Sequence, residues 1–148
     1  MIDLAEDSRK KVERALLVGI REPGQTEAEI SESLDELADL VRNLDIVPLE
    51  PVIVGLHQVM PQYYVGSGKA QEIAQLAQEC EADCLIFDTP LSPSQQRNWE
   101  RLARCCVIDR EEVILDIFAE RAHTREAVLQ VSLARAQYSL PRLTRAWT

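Results

Sequence analysis

The sequence predicts an α/β fold: a small, mainly parallel sheet with helices on both faces, plus a long C-terminal helix. Three observations carry this. Apolar runs of only four to eight residues alternate with segments whose apolar residues recur at helical spacing. The runs are apolar nearly throughout, as strands buried on both faces of a parallel sheet must be. Capping signals mark the starts of the helical segments.

Residues 13–20, ERALLVGI, read as the first buried strand, and REPGQ after them as a loop. Thr26 and Glu29 form a capping box, in which each side chain satisfies the other residue's backbone N–H. Behind it Ile30, Leu34, Leu37, Val41 and Leu44 recur at helical spacing, so 27–44 is an amphipathic helix. In IVPLEPVIVGL, 46–56, Pro48 and Pro51 interrupt strand residues. Proline cannot donate to the ladder, so this is an edge strand or a broken one. Tyr63-Tyr64-Val65 reads as a short strand before a helix over 68–80, and Glu81-Ala82-Asp83 as a turn. CLIFD, 84–88, is a short apolar strand. Ser92, Pro93 and Gln95 then open a second boxed helix that runs to about Arg104. CCVI, 105–108, is another strand. Asp109 and Glu112 form a third box before a helix carrying Val113, Ile114, Ile117 and Phe118. His123-Thr124 breaks that helix, and Thr124 caps the last one.

YYVGSGKAQE, 63–72, resembles the end of a phosphate-binding loop, and the mechanism of such loops tests it. The pattern G-x-x-x-x-G-K-[ST] needs a first glycine for the turn and a hydroxyl for Mg²⁺. Set on Gly68-Lys69, those positions are Tyr63 and Ala70. A dinucleotide turn fails too, because its third glycine is Gln71. The stretch is a strand-to-helix turn in which Gly66 permits an unusual φ and Ser67 is placed to cap the helix. It still offers backbone N–H groups and Lys69 to an anion.

The 148 residues suffice for a domain with its own core. No apolar run reaches the roughly 18 residues of a membrane span, and Met1 to Arg14 lacks a signal-peptide core. Cys80, Cys84, Cys105 and Cys106 have neither His57 nor His123 near them in sequence. They are expected to be reduced, mostly buried thiols of a cytoplasmic protein, with no metal site. The net charge of −9 opposes generic nucleic-acid binding, but it is unevenly spread. Residues 1–94 hold 7 Lys/Arg against 18 Asp/Glu; residues 95–148 hold 9 Arg against 7 acids. From Ala127 onward there are three arginines, Arg135, Arg142 and Arg145, and no acid. A basic end of this kind suits phosphate contact.

In parallel sheets, function gathers at the carboxyl ends of the strands. That rim holds Gly66 to Lys69, Asp88 to Ser92, and Asp109-Arg110. Asp88 and Asp109 have the chemistry of general bases or metal ligands. No nucleophile accompanies them, and Asp109 already serves as an N-cap, so both read as structural. The last helix is apolar around nearly its whole circumference, from Ala127 to Leu140, and so needs partners on more than one side.

Three segments carry a resemblance: YYVGSGKAQEI, LIFDTPLSPSQQRNWE and VIDREEVILDIFAERAHTREAVLQVSLARAQYSLPRL. In order and spacing they resemble the N-terminal domain of HflX-type GTPases, from about Glu13 to the end. Trp99, Val128 and Ser132 depart from the residues usual in that family. The resemblance implies a ribosome-associated protein that binds the large subunit and its rRNA, with a following GTPase domain that holds GTP and Mg²⁺. It implies an α/β subdomain over 1–122, with 1–12 flexible, and over 123–148 the first helix of a helical hairpin. The sequence stops at PRLTRAWT, so the expectation is an expressed fragment without GTPase activity. Lys69, Arg97, Arg142 and Arg145 are the candidate RNA or phosphate contacts. Leu129, Leu133, Ala136 and Leu140 form a candidate helix interface, open to the second hairpin helix or to a second copy in a homo-oligomer. The competing readings are a nucleotide- or small-ligand-binding domain using the rim near Lys69, Asp88 and Arg110, and a protein-interaction module acting through the last helix.

Overall fold

A computed structural model describes residues 12–142. One parallel sheet contains β1 (Arg14–Arg21), β2 (Val47–Pro48), β3 (Val52–Gly55), β4 (Cys84–Phe87) and β5 (Cys106–Asp109). The helices are α1 (Glu27–Arg42), α2 (Ser67–Glu79), α3 (Pro93–Ala103), α4 (Arg110–Arg121) and α5 (Arg125–Ser139). β1 is central: β4 pairs with one side of it and β5 follows β4, while β2 and β3 share its other side.

The two prolines make the 46–56 segment both an edge and a break. β2 pairs as Arg14↔Val47 and β3 as Val18↔Val52, so the register slips by one residue between them. An extra residue on one strand of a pair is a bulge, and an edge strand tolerates it.

Successive β1 side chains point to opposite faces of the sheet. Leu16, Val18 and Ile20 meet Ala70, Ile73 and Ala77 of α2 and Trp99 and Ala103 of α3. Ala15 and Leu17 meet Ile30, Leu34, Leu37 and Val41 of α1 and Val113 and Ile117 of α4. Gly19 lies on this second face, where a Cβ would stand 2.6 Å from Leu34 Cδ1. Its missing side chain is what lets α1 lie close to the sheet.

Two local expectations are corrected. Tyr63-Tyr64-Val65 is no sheet strand, because β3 already occupies that side of β1. The segment folds on itself through the isolated bridges Met60↔Tyr64 and Tyr63↔Val65, with Tyr64 at a φ of 69°. Ser67 is the first residue of α2 rather than its cap. The N-cap is Gly66, and no side chain caps that end.

The boxes Thr26–Glu29 and Ser92–Gln95 form complete, and Thr124 Oγ1 accepts the Ala127 N–H. α5 packs along α4 with Ala127, Val131 and Ala134 partly covered and Tyr138 buried, and Arg135 pairs with Asp116. Its other side stays open: Leu129, Leu133 and Leu140 are 61%, 61% and 64% exposed. Phe118 of α4 is exposed as well.

Candidate functional site

α1 leaves the end of β1 on one face of the sheet, and α3 leaves the end of β4 on the other. The crevice between two such adjacent strand ends is where parallel sheets usually hold ligands. Here it is a cleft of about 440 Å³ lined by Ile20, Glu22, Gln25, Ile30, Ser33, Tyr64, Asp88, Thr89 and Pro90.

Its polar groups already hold one another. Asp88 Oδ1 accepts from Arg110 Nε at 2.7 Å, and Oδ2 accepts the Ser33 hydroxyl at 2.6 Å. Arg110 also donates to the Ser33 carbonyl at 2.7 Å. Gln25 Oε1 accepts the Glu22 N–H, and the Tyr64 hydroxyl donates to the Glu22 carboxylate. Burial, then that carboxylate, push the Tyr64 phenol up to about 12, so it remains a donor at neutral pH. Among the described residues, no lysine or arginine lines the cleft. The N-terminus of α1 is closed by its own capping box, with Glu27 and Glu29 in the first turn. Such a lining repels phosphate. Lys69 lies elsewhere, on the first turn of α2, where it pairs with Glu72 at 2.9 Å. The arrangement therefore does not bring Lys69 together with Asp88 and Arg110.

A second cluster surrounds Asp109 at the end of β5, whose residue is 1% exposed. Its Oδ2 accepts the Leu91 N–H at 3.1 Å; its Oδ1 accepts the Tyr138 hydroxyl at 3.0 Å and the Glu112 N–H at 3.3 Å. Burial, then the Asp109 charge, push the Tyr138 phenol far up, so it too stays a donor. Arg142 completes the cluster. It donates from Nε to Gln96 Oε1 at 2.7 Å, from Nη1 to the Tyr138 carbonyl at 2.9 Å, and from Nη2 to the Leu91 carbonyl at 2.7 Å. Its guanidinium sits 3.8 Å over the Tyr138 ring. Sequence reasoning placed Arg142 against RNA; the structure turns it inward, with 12% of its side chain exposed. A buried carboxylate on a distant strand is its natural partner, and nothing local in the sequence points to that pairing.

α3 clamps the loop before α2. Gln95 Nε2 donates to the Met60 carbonyl, Asn98 Nδ2 to that of Gln62, and Trp99 Nε1 to that of Tyr63. Gln96 Nε2 donates to the Val107 carbonyl of β5 at 2.7 Å. Arg97 projects half-buried from the same helix, and Arg145 lies outside the described residues. Asp88 and Asp109 thus act as structural acceptors, as the sequence suggested. Two of the thiols are held protonated: Cys84 is pushed far up by its hydrogen bond with Cys106 and by burial, and burial raises Cys105 to about 11. Among the described residues no His/Cys/Asp/Glu group is arranged to hold a metal ion, and no helix is long and apolar enough to cross a membrane.

The described residues thus form a parallel α/β sheet whose rim side chains hold one another, with the last helix tied to that rim. The sequence matches the family of GTP-binding GTPase N-terminal domains over residues 31–119, and the GTP-binding GTPase Middle Region over 121–148. The chain belongs to the GTP-binding GTPase N-terminal family, as the N-terminal part of an HflX-type GTPase. It is 57% identical to GTPase HflX of Akkermansia muciniphila and 43% to that of Escherichia coli, each over 92% of this chain and 31% of the relative. The chain therefore spans about a third of the length of these curated relatives. Among solved structures it is similar to SsGBP in complex with GDP, with a TM-score of 0.66 and 26% identity over 90% of this chain and 37% of that one. A GTP-binding protein of the archaeon Sulfolobus solfataricus in complex with GDP shares the fold, with a TM-score of 0.62 at 24% identity over 90% of this chain and 39% of that one.

Proposed function

We propose that this chain is a non-catalytic docking module that seats an HflX-type GTPase on the rRNA of the large ribosomal subunit in the cytoplasm. GTP and Mg²⁺ would then be held by the GTPase domain of the whole protein, not by these residues. One observation carries the reading: among the described residues, the polar groups of the rim hold the chain's own loops and its last helix, and even Asp88, which accepts the Ser33 hydroxyl, is paired with Arg110. The rim is built as support. Affinity for RNA would come from cations at the surface, through counterion release. Lys69 is the first candidate. Its pair with Glu72 is exposed, and it stands at a helix end that no side chain caps. Arg97 is the second, and Arg145, outside the described residues, is a third on charge alone.

The test is chemical probing of rRNA in isolated large subunits, with this chain added at increasing concentration and the whole protein as reference. A set of backbone positions protected by both, and restored to reactivity by Lys69→Ala or Arg97→Ala, is expected. Protection by the whole protein alone would move the docking surface off this module.

A further inference from the structure

Two of the three segments that carry the family resemblance meet at one buried point, the last of them through both of its ends. Leu91 and Gln96 come from LSPSQQ, Asp109 from VIDR, and Tyr138 and Arg142 from YSLPR. Asp109 joins Leu91 to Tyr138, and Arg142 joins Tyr138, Leu91 and Gln96. We infer that this cluster is a coupling joint: it makes the far end of α5 and the loop between β4 and α3 move as one body.

The geometry supports coupling over simple packing. α5 buries one side chain, Tyr138, and the chain segment that follows it is held by Arg142. Apart from Arg142 Nη1, which reaches the Tyr138 carbonyl four residues back, the donors of the joint face acceptors on another segment, and each acceptor belongs to a buried residue. A buried polar group that loses its partner is costly, so partial opening is disfavoured and the contacts open together. Gln96 extends the joint to β5: its carbonyl oxygen receives Arg142, and its amide caps the Val107 carbonyl at the edge of the sheet. Asp109, Tyr138 and Arg142 are therefore positioning residues. Displacing α5 would release the loop at Leu91, 47 residues away along the chain from Tyr138.

Amide hydrogen exchange on the full chain tests this without reference to RNA. Tyr138→Phe keeps the ring and removes the hydroxyl; Asp109→Asn keeps the shape and removes the charge. Each should speed exchange about tenfold or more at the amides of 134–140 and also at Leu91 and Ser92. The amides of β1 should be unchanged. The double variant should cost less than the sum of the two singles, because both act on one contact. Faster exchange at α5 without any change at Leu91 would overturn the inference, and so would equal acceleration in β1 or strict additivity. Should Asp109→Asn fail to fold, Tyr138→Phe decides by the same comparison between α5, Leu91 and β1.

Discussion

Trp99 shows what a single side chain decides here. It is fully buried, stacks at a tilt on Phe87 at 4.8 Å, meets the edge of Tyr63 at 5.5 Å, and donates its indole N–H to the Tyr63 carbonyl at 2.8 Å. Trp99→Leu keeps an apolar side chain but loses that hydrogen bond and most of the ring volume. It should lower stability by about 2 kcal/mol, between a conservative core change and a full truncation. Urea unfolding measures this; an unchanged midpoint would mean that the loop before α2 repacks without cost. Residues acting locally were legible in the sequence. Thr26, Ser92 and Thr124 cap their helices as read, since a cap involves neighbours three positions away. Arg142 and Gln96 were not, because their partners lie 46 residues apart along the chain. Such pairs have no spacing signature. An acid-free basic stretch looks the same whether its arginine faces water or a buried carboxylate.

At the scale of elements, pattern placed every helix of the described residues, and four of the five segments read as strands hold strands of the sheet. The segment with two prolines read as an edge or a break, and it is both. Tyr63-Tyr64-Val65 was misread because aromatic and β-branched residues favour strands wherever they find a partner, and here the segment pairs with itself through isolated bridges instead of joining the sheet. α5 read as apolar all round, and the structure divides it. Tyr138 and the partly covered Val131 and Ala134 face α4 and the rim, while Leu129, Leu133, Ala136 and Leu140 lie open. An open stripe of that kind is rare on a soluble monomer. Covering one such leucine gains roughly 1.5–3 kcal/mol, so two copies of α5 should pair at high concentration. Sedimentation velocity should give a mass that rises with concentration, and Leu133→Glu should remove the rise. A strict monomer at millimolar concentration would show that the stripe is covered within one chain.

Across the whole molecule, the front of the chain is acidic and the end basic. The α/β unit supplies a stable support, and the joint at Asp109 fixes how its last helix is held. The fold class and the structural roles of Asp88 and Asp109 followed from pattern and capping chemistry. The joint did not, since it exists only once β4, β5 and α5 have been brought together. Co-sedimentation of this chain with isolated large ribosomal subunits, over a salt series, is the most direct measurement of its role. Binding should occur, and the logarithm of affinity should fall linearly with the logarithm of salt concentration, flattening by about one counterion when Lys69 or Arg145 is changed to Ala. Arg142→Ala should instead weaken binding without changing that slope, because its guanidinium faces Asp109 and not solvent. No binding at low salt, or binding indifferent to salt and to these substitutions, would contradict docking on rRNA.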